Sequence, residues 1–314
     1  MKQKYNYSLF LILVLFLGRA QSLKVEHRIN KDNSVEFFYE KTEFNTHTII
    51  LNFGYLNNTS ASDKVIKRVS NKTGKLLKIR PTDSQQQIGF NYSVRYYNFA
   101  VNPKIDNDFI YILPFEKGQK MQVEPLVNLG VMSSNRQFIA KNFKAFSFTS
   151  YDAVDIYPAR KGVVIEITKS YTPDLSKNFV YHNKMNYITI EHNDGSLARY
   201  SGFDKNSMNV SLGQAVYPTL TKMGSTAIYD KSMLHRINFY VCYVNTKDGI
   251  NLMDLNNYKL LEMVFIDPVF FHENDKAALV LNALYESDFN EATLFQNFNK
   301  RQIKNYKKGK LNSL

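Results

Sequence analysis

The sequence reads NYITIEHNDGSLARY over residues 186–200. This stretch predicts a strand over residues 187–192, a turn at residues 193–196 and a returning strand over residues 197–200. The Asp-Gly pair at Asp194 and Gly195 is a strong short-range hairpin signal. We therefore expect an antiparallel hairpin at the centre of this region.

Other strand-like runs lie on both sides of this hairpin. Downstream is the run over residues 237–243, and upstream is a run within residues 153–167. Further upstream, period-two runs occur at residues 35–39, 47–53, 88–96 and 109–115. Short alternating runs separated by Asn, Ser and Gly predict antiparallel sheets with one buried face. The predicted fold class is all-β.

Composition excludes several classes of protein. The chain has 314 residues, of which 44% are hydrophobic and 22% charged, so it is neither disordered nor of low complexity. Its one cysteine, Cys242, excludes internal disulfides and Cys-based metal clusters. The formal charge is +12, but the sequence has no recognisable nucleic-acid-binding motif, so we expect no nucleic-acid partner.

The first twenty residues have the pattern of a signal peptide. Lys2 and Lys4 precede an apolar run from Leu9 to Leu17, and Gly18 and Ala20 supply small residues before a cleavage site. The apolar run is short for a membrane anchor. We expect an exported protein of the periplasm or cell envelope, with a bacterial envelope favoured because cysteine pairs are absent.

The strand pattern predicts a sequence of domains after the signal peptide. We expect an N-terminal β-sandwich-like domain, a linker, a second β domain and a helical basic tail, in which Ala277 to Leu284 have helical spacing. The predicted ranges are 1–20 for the signal peptide, 21–125, 126–146, 147–272 and 273–314.

Two stretches are strongly basic. Residues 64–80 fit either an anion-binding patch or a solvated hairpin rim. Residues 300–310 fit either a solvated terminus or a peripheral contact with an anionic membrane surface.

The region from Lys144 to Tyr243 resembles the lysostaphin/LytM-type zinc endopeptidases, which cut peptidoglycan cross-bridges. The resemblance implies a LytM-type β-barrel or sandwich for the second domain. Upstream, residues 111–118 resemble a short motif that closes the preceding β domain in many envelope members of the family. The segments similar in order and spacing to family motifs are Pro158–Val164, Asn186–Tyr200, Val210–Val216 and Gly224–Thr226.

The resemblance does not extend to the zinc site. The family holds zinc through two His and one Asp, and further His side chains assist the attacking water. Ser147 stands at the position of the metal Asp, Gly202 at that of a catalytic His, and Arg236 and Asn238 at those of a His-x-His pair. The other metal His has Asn135 as its nearest counterpart. Glycine has no ligand atom, and a permanently charged arginine repels Zn²⁺.

We therefore expect no catalytic residue, no metal ligand and no cofactor. The resemblance implies a degenerate, non-catalytic homologue in which Ser147, Gly202, Arg236 and Asn238 line a groove that binds or scaffolds peptidoglycan or an envelope protein. Arg236 would pair with a carboxylate of a bound peptide or neutralise an acidic neighbour. The alternative is an active zinc endopeptidase with displaced ligands, for which His235 is the nearest replacement.

Overall fold

A computed structural model describes residues 22–126, 139–178, 180 and 184–311. These residues form mainly β-strands in several open sheets, with two short helices near the C-terminus. The all-β class with a C-terminal helical segment is therefore confirmed. The predicted signal peptide, most of the predicted linker and Asn135 lie outside the described residues.

Six N-terminal strands form a sandwich of two three-stranded sheets. One sheet has the order β1-β2-β5 and the other the order β4-β3-β6. Their apolar residues share one core, which includes Val35, Phe37, Ile49 and Leu51. The strands are β1 (Leu23–Ile29), β2 (Val35–Lys41), β3 (His47–Asn57), β4 (Lys64–Val69), β5 (Thr73–Ile79) and β6 (Gly89–Tyr97).

The rest of the chain is organised around an eleven-stranded sheet, whose main path is β15-β12-β13-β14-β18-β10-β8-β22. Smaller pairings join β11 to β16 and β20 to β7 and β21. The strands up to β14 are β7 (Ile110–Tyr111), β8 (Lys120–Pro125), β9 (Ile139–Lys141), β10 (Phe146–Ser150), β11 (Asp155–Ile156), β12 (Gly162–Thr168), β13 (Tyr187–Glu191) and β14 (Leu197–Ser201). The later ones are β15 (Ala215–Val216), β16 (Gly224–Ser225), β17 (Ala227–Ile228), β18 (His235–Thr246), β19 (Leu261–Ile266), β20 (Val269–His272), β21 (Asp275–Ala278) and β22 (Leu284–Glu286).

The predicted central hairpin is confirmed. β13 and β14 pair antiparallel, from Tyr187 opposite Ser201 to Glu191 opposite Leu197. Gly195 lies in the turn with φ +88°, a conformation that favours glycine. β12, β13 and β18 belong to one sheet, as the runs at residues 163–167, 187–192 and 237–243 predicted.

Strand pairing associates β7 and β8 with the C-terminal region, although the sequence interpretation placed them in the N-terminal domain. β8 lies between β10 and β22, and β7 pairs with β20. Such long-range partners leave no signal in the local alternation that predicted the strands.

The helix predicted from the spacing of Ala277 to Leu284 does not form, because strand β21 ends at Ala278 and strand β22 begins at Leu284. β20 and β21 form a hairpin whose two turn residues, Glu273 and Asn274, have φ values of +50° and +66°. Two consecutive positive φ values are typical of a type I′ hairpin turn. The helices of the tail are α1 (Glu291–Phe295) and α2 (Lys300–Lys307).

The basic stretch at residues 64–80 does not form a hairpin, because β4 and β5 belong to different sheets of the sandwich. Several of its cations have partners within the chain. Lys75 pairs with Glu36 at 2.9 Å, Lys78 lies 3.6 Å from Asp32, and Arg68 donates to the carbonyl of Asn102 at 2.8 Å. These contacts favour the structural interpretation of this stretch over an anion-binding patch.

The sandwich packs against the larger sheet. Ile50, Tyr97 and Val101 of the N-terminal region share an apolar cluster with Val244 and Leu261. None of the helices in the described ranges reaches the length and apolar character needed to cross a bilayer.

Candidate functional site

The central strand β18 separates an apolar core from a polar face. Ile237, Phe239 and Val241 are completely buried in the main core. Because successive strand side chains point to opposite sides, Arg236 and Asn238 project from the other side of the sheet. We call this side of β10, β14 and β18 the polar face.

Three polar residues form a row across this face. The register places Asn238 of β18 directly between Ser147 of β10 and Ser201 of β14. All three are at most 3% exposed. The Ser147 Oγ, Ser201 Oγ and Asn238 Oδ1 atoms have no hydrogen-bond partner in the described part of the chain. The fold thus brings together Ser147 and Asn238, as expected, and adds Ser201, which the sequence interpretation missed.

Gly202 follows this row and has no room for a side chain. Its φ is +129°, and a Cβ atom there would overlap the carbonyl oxygen of Arg236 and lie 3.2 Å from its carbonyl carbon. The Gly202 N–H donates to Asn186, and the Gly202 carbonyl accepts from the N–H of Ala227, both at 2.9 Å. The backbone therefore occupies the space in which a histidine at position 202 would begin.

Arg236 is paired with an acidic neighbour, Asp230. Its Nη1 atom lies 3.5 Å from Oδ2 of Asp230, whose side chain is only 2% exposed, and its Nη2 donates to Ser232 Oγ at 2.8 Å. A buried carboxylate needs such a countercharge, because desolvation strongly penalises an unpaired ion. Of the two roles expected for Arg236, neutralising an acidic neighbour is the one that these contacts favour.

Met185 contacts the row, and Tyr229 shares a small apolar cluster with Met185. Asn238 Nδ2 lies 3.4 Å from Met185 Sδ, and Tyr229 donates its hydroxyl proton to the carbonyl of Phe203 at 2.8 Å. Burial raises the pKa of Tyr229 to about 12, so the phenol stays protonated at neutral pH. Tyr229 also lines a cavity of about 350 Å³, together with Tyr171, Thr172, Asp174, Lys177, Val180 and Lys184.

A polar network near Ser201 was also missed from the sequence. Arg199 donates to Glu166 at 2.6 Å and stacks over the ring of Tyr187, with its guanidinium carbon 4.2 Å from the ring centroid. Tyr187 and Thr189 donate to the same carboxylate at 2.7 and 3.0 Å. The sequence carries a signal for part of this network: Tyr187 and Thr189 alternate with the buried Ile188 and Ile190, so their side chains lie on the face of β13 opposite the core.

Among the residues that the structure describes, the histidines do not rebuild a metal site. His235 neighbours Arg236 on β18, so its side chain starts on the opposite side of the sheet from Asn238, and its Nδ1 lies 3.1 Å from the carbonyl of Thr226. His192 is 3% exposed and its Nδ1 donates to the carbonyl of Lys161 at 2.9 Å. Burial, assisted by the charge of Arg160, lowers the pKa of His192 to about 3.

The residues at the matched positions do not fit a zinc ion. Gly202 has no ligand atom and no space for one, while Arg236 places a cation beside the row. Ser147 and Asn238 supply only neutral oxygen atoms, which are poor zinc ligands. Within residues 22–126, 139–178, 180 and 184–311, no three His, Cys, Asp or Glu side chains are grouped as metal ligands would be.

Comparison with known proteins yields a weak structural likeness. No protein-family model matches the chain, and no curated protein is similar to it. A solved structure described as "Structure of the SpoIIQ-SpoIIIAH pore forming complex" contains a chain with 14% sequence identity and a TM-score of 0.25. The match covers 48% of this chain and 92% of that chain. A likeness of this size identifies neither a family nor a partner.

Proposed function

We propose that this protein is a non-catalytic binding or scaffolding component of the bacterial cell envelope. The observation that carries the proposal is the backbone contact at Gly202, which leaves no space for a side chain at a position where the resembling peptidases have a catalytic histidine. Loss of a ligand by simple substitution would leave an empty pocket. Here the position is filled by the neighbouring strand.

The cavity beside the row supports peptide binding. Of the described residues that line it, Lys177 and Lys184 are cations and Asp174 is the one carboxylate, 3.8 Å from Lys177. Tyr171 and Val180 add apolar surface to the same cavity. A cavity with apolar walls and an excess of positive charge suits a short peptide that carries a carboxylate. Peptidoglycan stem peptides have this chemistry, as does an acidic segment of an envelope protein.

The first experiment separates binding from hydrolysis. Protein purified without chelators is analysed for zinc, and its activity on peptidoglycan and on glycine-rich peptides is measured. We expect trace zinc and no hydrolysis, because the row offers no carboxylate or imidazole ligand. About one zinc per chain together with hydrolysis, both lost in His235→Ala, would establish the alternative peptidase with displaced ligands.

The second experiment identifies what the cavity binds. We expect purified peptidoglycan sacculi to sediment the protein, and we expect Lys177→Gln/Lys184→Gln to weaken this binding. Lys205→Gln/Lys276→Gln is the matched control, since it removes the same charge from exposed lysines elsewhere. Equal binding of both variants would contradict a role for the cavity. No sedimentation of the unmodified protein would exclude peptidoglycan and leave an envelope protein as the ligand.

A further inference from the structure

The C-terminal helix α2 concentrates positive charge on one side. At 100° per residue, Lys300, Arg301, Lys304, Lys307 and Lys308 fall within an arc of about 120°. All five are exposed. The arc extends about 12 Å along the helix axis at 1.5 Å per residue. We call these five residues the basic ridge.

The opposite side of α2 is attached to the protein. Tyr306 packs against Phe295, with ring centroids 5.2 Å apart, and Gln302 donates to the hydroxyl of Tyr217 at 3.2 Å. Lys161 in turn donates to Gln302 at 2.7 Å. Asn299 and Gln302 form a capping box that fixes the start of the helix. The basic ridge is therefore held outward on a rigid element.

Most of the ridge has no countercharge among the described residues. Lys307 pairs with Glu291 at 2.8 Å, whereas Lys300, Arg301, Lys304 and Lys308 have no ion pair with any described residue. By contrast, Lys75 and Lys78 in the other basic stretch pair with carboxylates. Within the described part of the chain, the ridge thus retains four uncompensated positive charges on about two turns of helix.

We propose that the basic ridge docks this protein on an anionic lipid bilayer. The ridge is convex and its charges lie on one side, so it can contact a plane with all of them at once. A flexible anionic polymer would be held better by a concave groove. Because Tyr306 and Gln302, on the other side of α2, already contact Phe295 and Tyr217, the contact is electrostatic and does not insert a helix into the membrane.

Co-sedimentation with vesicles tests the proposal. The full protein is mixed with vesicles of pure phosphatidylcholine or with vesicles containing about 30% phosphatidylglycerol, at low salt, where surface charges are weakly screened. We expect binding to the anionic vesicles only. Lys304→Gln/Lys308→Gln should weaken it about 25-fold, because each cation near an anionic surface contributes about fivefold.

The controls make each outcome decisive. Lys205→Gln/Lys276→Gln should bind the anionic vesicles as the unmodified protein does, and about 0.5 M salt should abolish binding through screening. Equal binding to neutral vesicles, salt-insensitive binding or equal loss in both double variants would overturn the proposal. Binding to soluble polyphosphate without binding to the anionic vesicles would overturn it in favour of a phosphate polymer. Sacculus binding is measured without lipid, so it reports separately on the cavity.

Discussion

The Gly202→Ala substitution tests whether position 202 has space for a side chain. The substitution introduces one methyl group, which would overlap the Arg236 carbonyl oxygen on β18. It also forces alanine into a backbone conformation with φ +129°. Forbidden backbone conformations cost about 1–3 kcal/mol, and overpacking a well-packed interior costs about 1–3 kcal/mol more. We expect a combined loss of about 2–6 kcal/mol in the free energy of unfolding.

Gly118→Ala is the matched control for this measurement. Gly118 also has a positive φ, +85°, but a Cβ atom there has no neighbour within 4 Å. It should therefore show the backbone cost without the contact cost, about 1–2 kcal/mol. Urea unfolding followed by far-UV circular dichroism suits a protein without tryptophan. A Gly202→Ala loss within about 0.5 kcal/mol of the Gly118→Ala loss would refute the claim that β18 fills the space at position 202.

Three further predictions concern buried groups. Arg160 is 1% exposed and pairs with Asp194 at 2.9 Å. Either Arg160→Met or Asp194→Asn should lower the free energy of unfolding by about 3–5 kcal/mol, and the double variant should lower it by less than the sum of the two. Additive losses in urea unfolding would contradict this coupling. The pKa of His192 is lowered to about 3, so the unfolded chain binds a proton below about pH 6.5 that the folded chain does not, and stability should fall as the pH decreases from about 6.5 towards 3. His192→Asn, whose amide nitrogen can replace Nδ1, should show a weaker decrease in unfolding titrations over this range, and an unchanged pH dependence would contradict the assignment. Burial raises the pKa of Cys242 to about 12, so the thiol should react with a disulfide reagent only after unfolding, and rapid reaction of the native protein would show that the thiol is accessible.

The structure also changes the interpretation of the four residues that were predicted to line a groove, Ser147, Gly202, Arg236 and Asn238. They were predicted as one set of ligand contacts, but they have different environments. Ser147 and Asn238 are buried in a row beneath Met185, whereas Arg236 is paired with Asp230. Gly202 makes its contacts through the backbone. Their role as contacts with a bound ligand stays a prediction, and the neighbouring cavity with Lys177 and Lys184 is the part of the site open to direct test.

Local sequence determined the all-β class and the central hairpin. Alternation from Tyr187 to Glu191 and the Asp-Gly turn depend on neighbouring residues, so residues 186–200 were enough to predict β13 and β14. The alternation of Tyr187 and Thr189 with apolar residues could also have placed these two side chains on the polar face. The residues of this chain could also be compared with the zinc-site residues of the resembling family from sequence alone, because that comparison needs only the order and spacing of the matched motifs.

Tertiary structure decided which of these residues meet. Ala277 to Leu284 has helical spacing, but pairing with β20 and β8 draws its two ends into strands, because long-range hydrogen bonds and burial outweigh a weak local preference. Ser201, Asn238 and Ser147 form a row only through the registers of three strands distant in sequence. The pairing of Arg236 with Asp230 and the closure of the space at Gly202 depend likewise on how β18 packs against the chain around it. Alternation repeats every two residues, so it assigns a side chain to one face of a strand, and the neighbouring strand and its register are then set by the packing of the whole core.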